Sequence, residues 1–265
     1  MKLTTEKIEV FQAIMKVLAD LFVEGKIVMS SPVLACGIAK DRTSMFAVNF
    51  AENFFSKEGK DVVVGVNFED VAKGVARFRG ASKLTIYSSD GKLLSMKSTN
   101  DVLKKVIALR GYTADSIERV DMEYVNNVVS ETLTHSILQV ELGGEDFKSL
   151  VGDIMGISEE LTIRGDKEGR RIEFSSASDS GSIEYGRTIQ LEEKEFILVD
   201  FVKRFRIEAL KEFERAGWIQ DFKVNLGDKC MLISADVHDK AKKKKNEEVI
   251  GRIFLVLSSK ARELK

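Results

Sequence analysis

Apolar residues recur at spacings of three and four in four stretches of this chain, and they alternate with polar ones in most of the rest. Ile8, Phe11, Met15, Leu18 and Phe22 form one stripe, which predicts a helix over 5–22 with Lys7, Gln12, Lys16 and Asp20 on its other face. Thr4 or Thr5 is its expected cap. Phe68, Val71, Ala72, Val75 and Phe78 predict a second helix, opened by Asn67 as cap with Asp70 in the first turn. Lys73 and Arg77 lie on its opposite face, and Arg79-Gly80 ends it. Phe147, Leu150, Val151 and Ile154 predict a third helix, with Lys148 on another face. Val202, Phe205, Ala209, Leu210 and Phe213 predict a fourth, with Lys203, Arg204, Lys211 and Arg215 as its basic residues and Gly217 as C-cap.

Between these helices the pattern is that of strands. Lys26–Met29, Leu34–Ala39, Met45–Phe50 and Asp61–Val66 precede the second helix. Lys83–Ser88 and Leu93–Ser98 flank Asp90-Gly91, a strong hairpin signal, and Asp101–Leu109 continues the series. Arg110–His135 shows no sustained period and reads as a long surface connection. Ser136–Leu142 then restarts the pattern, followed by Leu161–Arg164, Arg171–Ser175, Ser182–Ile189, Phe196–Asp200, Asp221–Leu226, Cys230–Val237 and Arg252–Leu257. The chain therefore reads as two similar halves of α+β class, four short helices backed by antiparallel sheets. The expected division is residues 1–116, a connecting loop at 117–135, and 136–265.

Composition narrows the function. The 265 residues carry 41 Lys and Arg against 42 Asp and Glu, a formal charge of -1. No apolar run approaches the roughly 18 residues of a membrane span, so no membrane partner is expected. Met1–Lys7 carries charges and no secretory apolar region. Cys36 and Cys230 sit in apolar surroundings and are expected to be buried thiols outside any disulfide. The sequence has no Gly-rich dinucleotide loop, no phosphate-binding Lys-Ser or Lys-Thr loop and no Gly-x-Ser-x-Gly. His135 and His238 with the two cysteines make no zinc spacing, and the pairs Glu159-Glu160 and Glu192-Glu193 fall in turn-like segments. No catalytic residue, metal or cofactor is expected. The lysine-rich Lys240–Lys245 reads as a solvated loop, or as a contact to nucleic-acid backbone or an acidic partner.

Val64-Gly-Val-Asn-Phe-Glu-Asp-Val-Ala-Lys-Gly-Val resembles the start of the second helix in DNA sliding clamps of the proliferating cell nuclear antigen type. Leu84-Thr-Ile-Tyr and Leu93–Ser98 resemble the strands after it. Phe147–Ile157 is similar to the third clamp helix, and Arg171-Ile-Glu-Phe-Ser-Ser-Ala-Ser-Asp-Ser-Gly to the region after it. Phe205–Phe213, Cys230–Val237 and Ile253-Phe-Leu-Val-Leu-Ser-Ser-Lys fit the closing helix and strands. The resemblance spans nearly the whole chain. It departs from the pattern in the compressed Val33–Arg42, in the Lys240–Lys245 insertion and in a tail without Ala-Pro, which suggests an archaeal or otherwise divergent clamp.

The resemblance implies two domains of the DNA clamp fold. Three subunits, as a homotrimer or a heterotrimer, would close head-to-tail around double-stranded DNA. A clamp loader would open the ring, and DNA polymerase, DNA ligase and flap endonuclease would be tethered to it, making the chain a processivity factor and not an enzyme. The resemblance places Lys7, Lys16, Lys73, Arg77, Arg79, Lys148, Lys211 and Arg215 towards DNA. Partners would dock at Met45, Ala47, Tyr124, Val125, Val128 and Val129, with Leu257 and Ser258 near the tail. Leu103, Ile107, Ile183 and Tyr185 would lie at the subunit interface, on strands Val102–Arg110 and Ser182–Thr188. The expected location is cytoplasmic and nucleoid-associated in a prokaryote, or nuclear in a eukaryote. Two alternatives stay open: a clamp relative serving repair, checkpoint or viral transcription, and an α+β DNA-modifying enzyme or nuclease.

Overall fold

A computed structural model describes residues 1–39, 43–78, 80–99, 104–111, 122–178, 180–181, 183–210, 221–238 and 249–259. Its elements are mixed α and β, with mostly antiparallel sheets. They fall into two compact units: Met1–Ala39, Phe46–Val125 and Asp236–Ile253 in the first, Lys40–Met45, Asn126–Ala235 and Phe254–Lys265 in the second. The units are thus discontinuous in sequence, since Asp236–Ile253 returns to the first.

The chain runs β1 (Lys2–Thr5), α1 (Ile8–Leu21), β2 (Glu24–Met29), β3 (Val33–Ile38), β4 (Ser44–Phe50), β5 (Ser56–Glu58), β6 (Val62–Asn67), α2 (Phe68–Ala76), β7 (Lys83–Tyr87), β8 (Leu93–Thr99) and β9 (Lys104–Arg110). After α3 (Met122–Thr134) come β10 (Leu138–Gly143), α4 (Gly144–Met155), β11 (Glu160–Asp166), β12 (Arg171–Ala177), β13 (Glu184–Gln190), β14 (Phe196–Ile197) and β15 (Phe201–Arg206). Residues 208–210 are helical, and β16 (Asp221–Leu226), β17 (Cys230–His238) and β18 (Val249–Ser258) close the order.

One motif, strand–helix–three strands, is led by β1, β6 and β10, and β15 is followed by helical residues 208–210 and then three strands. The pairing between motifs is the same in both units. In the first, β1 pairs with β7 and β6 with β2, so each motif's leading strand joins the strand after the other motif's helix. In the second, β10 pairs with β16 and β15 with β11, which is the same exchange.

In the first unit α1 packs on α2. Phe11 from α1 sits 5.9 Å from Phe50 and 5.7 Å from Phe55, ring centre to ring centre. Asn67 caps α2 as expected, its side chain accepting from the Asp70 N–H at 3.1 Å. A Cβ at Gly25 would collide with the Phe68 ring and the Cys36 carbonyl, so β2 needs glycine to let α2 approach. The predicted hairpin at Asp90-Gly91 is present: Gly91 has φ 75°, and β7 and β8 pair in register from Lys83↔Thr99 to Tyr87↔Ser95.

In the second unit α4 lies against β10, β11, β13 and β16, and Phe147 stacks on Phe222 at 3.9 Å. Buried Glu195 accepts from the backbone N–H groups of Glu141 and Glu192 at 2.7 and 2.6 Å, fastening β10 to the turn before β14. Among the described residues, no helix is long and apolar enough to cross a membrane.

Five sequence expectations differ from this structure. Lys7, not Thr4 or Thr5, holds the N-cap position of α1. Residues 122–134 form helix α3, not a loop. Asn126, Asn127, Ser130, Thr132 and Thr134 are weak helix formers and conceal the spacing of Val125, Val128, Val129 and Thr132. Residues 201–206 form β15, so Lys203 and Arg204 are not on a helix; Phe205 is buried while Val202 is exposed, and helical structure begins only at residue 208. Of the expected strand Phe196–Asp200, only Phe196–Ile197 is a strand. Cys36 is buried but Cys230 only half-buried, and neither forms a disulfide. Burial, then the Glu131 carboxylate, pushes the Cys230 thiol above its usual pKa.

A test of local electrostatics lies in β10. Hydrogen bonds from Lys194, then from Lys223, hold the Glu141 carboxyl below the ordinary glutamate range. Its stabilising effect is therefore full above the unfolded-state pKa and lost as pH falls through the folded one. Glu141→Gln is expected to cost up to about 1 kcal/mol at neutral pH. Denaturant melts of both proteins against pH should show that gap closing in acid.

Candidate nucleic-acid interface and strand edges

The expected DNA-facing residues are brought together only in part. Lys7 holds the N-cap position of α1 without a side-chain cap, its N–H donating to the Thr5 hydroxyl at 3.0 Å. Lys16 on α1 and Arg77 at the end of α2 are exposed, and among the described residues neither has an ion pair. Lys73 is bound to Glu69, one turn earlier, at 2.6 Å, and that hydrogen bond raises its pKa. Lys148 is bound to Glu145 at 3.3 Å. Arg79, Lys211, Arg215 and the Lys240–Lys245 run lie outside the described residues.

The exposed faces of α1 and α2 carry both signs. The first has Glu9, Lys16 and Asp20, the second Glu69, Asp70, Lys73 and Arg77. On α4 the acids prevail, with Glu145, Asp146 and Asp153 exposed. Charges of mixed sign on a helix face cannot grip a phosphate tightly, because counterion release scales with the number of uncompensated cations. They suit loose contact through solvent.

The expected partner-docking residues divide by burial. Met45, Ala47, Val125 and Leu257 are at most 5% exposed and act as core side chains. Val128 and Val129 on α3 are half-buried, and Ser258 is exposed at the end of β18. The side chain of Tyr124 lies outside the described residues.

Of the expected interface residues, Ile107 and Tyr185 fall on two sheet edges and Ile183 directly precedes the second. In the first unit the strand order is β5-β1-β7-β8-β9, and in the second β13-β12-β11-β15. Among the described residues β9 pairs only with β8, and β13 only with β12. Each leaves one side of a seven-residue strand without a backbone partner. Ile107 and Leu109 stand opposite buried Met96 and Leu94, so they share the covered face of the sheet. Lys105 continues that row, and its ammonium donates to the Arg77 carbonyl at 3.3 Å. On the other edge Tyr185 and Arg187 stand opposite buried Ser176 and Phe174. Arg187 donates to Asp146 on α4 at 2.6 Å. Val106 and Ile183 are 60% and 57% exposed, large for apolar side chains. Leu103 lies outside the described residues. Sequence reading missed the roles of Asp146 and Asp153, because only the fold places α4 beside β13.

Among the described residues, no three His, Cys, Asp or Glu side chains are placed to hold a metal ion. An open concavity on β11, β12 and β15 is lined by Arg164, Asp166, Arg171, Glu173 and Phe201. Its arginines are already paired, Arg171 with Asp166 at 2.8 Å and Arg164 with Glu173 at 3.7 Å. Neither any protein-family model nor any curated protein sequence matches this chain.

Burial raises the Tyr185 phenol above its ordinary pKa, and the hydrogen bond and negative charge of Asp153 add to the rise. Asp153→Asn removes the charge but not the burial. An NMR titration of ring-labelled tyrosine should show the Tyr185 midpoint falling in the variant while staying above the free phenol value.

Proposed function

We propose that this chain is a subunit of a DNA sliding clamp, a ring that encircles duplex DNA and tethers replication and repair enzymes without chemistry of its own. The observation that carries the reading is the pair of open seven-residue edges, β9 in one unit and β13 in the other. A long open edge invites uncontrolled pairing unless a specific partner covers it. Two different edges on one chain allow a heterologous contact, and such contacts close into rings when the rotation permits.

Three further features support it. The strand–helix–three-strand motif recurs behind β1, β6 and β10, and β15 with helical residues 208–210 opens a similar run, with the same strand exchange in each unit, as two domains of the clamp fold would have. The exposed faces of α1 and α2 bear mixed charge, suited to sliding over phosphates. The sequence resemblance runs in the same order along the chain. In this reading Lys16 and Arg77 are the strongest contributors to the inner wall, and α3 with Val128 and Val129 borders the docking site for polymerase, ligase and flap endonuclease.

The test is topological. Loaded by a clamp loader and ATP onto nicked circular DNA, the protein should stay with the DNA through a salt wash and be released when the circle is cut. Lys16→Ala with Arg77→Ala should shorten retention severalfold at low salt, since two phosphate contacts are lost. Equal retention on circular and linear DNA, or metal-dependent cleavage of the DNA, would overturn the proposal.

A further inference from the structure

The solvent face of the five-stranded sheet, β5-β1-β7-β8-β9, has one dominant sign. Its strands β1, β7, β8 and β9 contain no Asp or Glu. Leu84, Ile86, Leu94 and Met96 are buried, so the alternate residues face outward: Lys83, Thr85 and Tyr87 on β7, and Leu93, Ser95 and Lys97 on β8. On β9, Ala108 stands opposite Ser95 and Arg110 opposite Leu93. Lys83, Lys97 and Arg110 are exposed, and among the described residues none of them forms an ion pair. The acidic residue of the sheet, Glu58 on β5, is held by Lys2 at 3.0 Å.

An aromatic ring stands among these cations. Tyr87 is 45% exposed, with small Ser95 beside it and small Ala108 next in the same row, so nothing bulky stands against the ring on that side. We propose that this face binds single-stranded nucleic acid. One base stacks on Tyr87, exposed Leu93 packs against the next, and Lys83, Lys97 and Arg110 meet phosphates. Stacking accepts any base, and a flat sheet with an open ring gives an unpaired base a place to lie. Duplex DNA keeps its base faces within its own stack, so the face favours the unpaired strand. From Lys83 to Arg110 the stripe crosses three strands and about 20 Å, room for several nucleotides. The face uses none of the helix residues assigned above to duplex DNA, and its chemistry does not depend on ring closure.

The test is the fluorescence anisotropy of a short labelled oligothymidine titrated with the full chain. Binding should be tighter than to a duplex of the same length, and log affinity should fall against log salt with a slope of about -2, as three phosphate contacts to a single strand give. Tyr87→Ala should weaken binding roughly tenfold, whereas Tyr87→Phe, which keeps the ring, should bind like the wild type. Lys83→Ala with Lys97→Ala should weaken binding and flatten the salt slope by about 1.4. All three side chains are exposed, so the variants should melt like the wild type. A duplex that binds equally well, a Tyr87→Ala variant that binds like the wild type, or polyglutamate that displaces the strand as readily as unlabelled oligothymidine would each overturn the inference. A ring held on circular DNA that ignores oligothymidine overturns this inference and leaves the clamp reading. Oligothymidine binding at Tyr87 without any hold on circular DNA overturns the clamp reading and keeps this site.

Discussion

A backbone N–H or C=O withdrawn from water must find a partner, and among the described residues the two longest terminal strands, β9 and β13, each leave one row of them unpaired. Every inner strand of the sheets ending in β9 and β13 has neighbours on both sides, while these two terminal strands have one. Neither edge carries a proline or a very short strand, devices that commonly keep sheet edges from pairing. The other features of the molecule become coherent when both edges are occupied. The exposed Val106 and Ile183, the row of Ile107 and Leu109, and the oriented Arg187 all lie on or beside those strands.

The edges are held in place by the exchange of strands within each unit. Because β1 joins β7 and β6 joins β2, neither motif of the first unit completes its sheets alone, and its helices α1 and α2 pack together. The second unit repeats this with β10, β16, β15 and β11. The position of β9 thus depends on contacts far along the chain, through β8 and β7 to β1. Substitutions that loosen the helix layer, such as any side chain at Gly25, should be felt at an edge they do not touch.

Much of this was legible in the sequence, and the exceptions have physical causes. The α1, α2 and α4 stripes, the Asn67 cap and the Asp90-Gly91 turn follow from local rules, and the structure keeps all of them. Helix α3 was hidden because its asparagines, serine and threonines favour other conformations and only tertiary contact of Val125 and Thr132 decides for helix. Strand β15 was hidden because Phe205 fits a helical spacing as well as an alternating one, and pairing with β11 chooses between them. Of the candidate site, the two edge strands were readable as strands. The ion pairs that tie Lys73 and Lys148 to acids on their own helices temper the expected inner face. The proximity of Asp146 to Arg187, 41 residues apart, has no signature in sequence at all.

The most direct measurement is amide hydrogen exchange along β9 and β13 in the wild type and in a variant charge-reversed at Lys105 and Arg110 of β9. If the edges pair between copies, the outward amides of both strands exchange slowly in the assembled protein and quickly in the monomeric variant, while the inward ones stay protected in both. Outward amides that exchange equally fast in the two proteins would contradict the account.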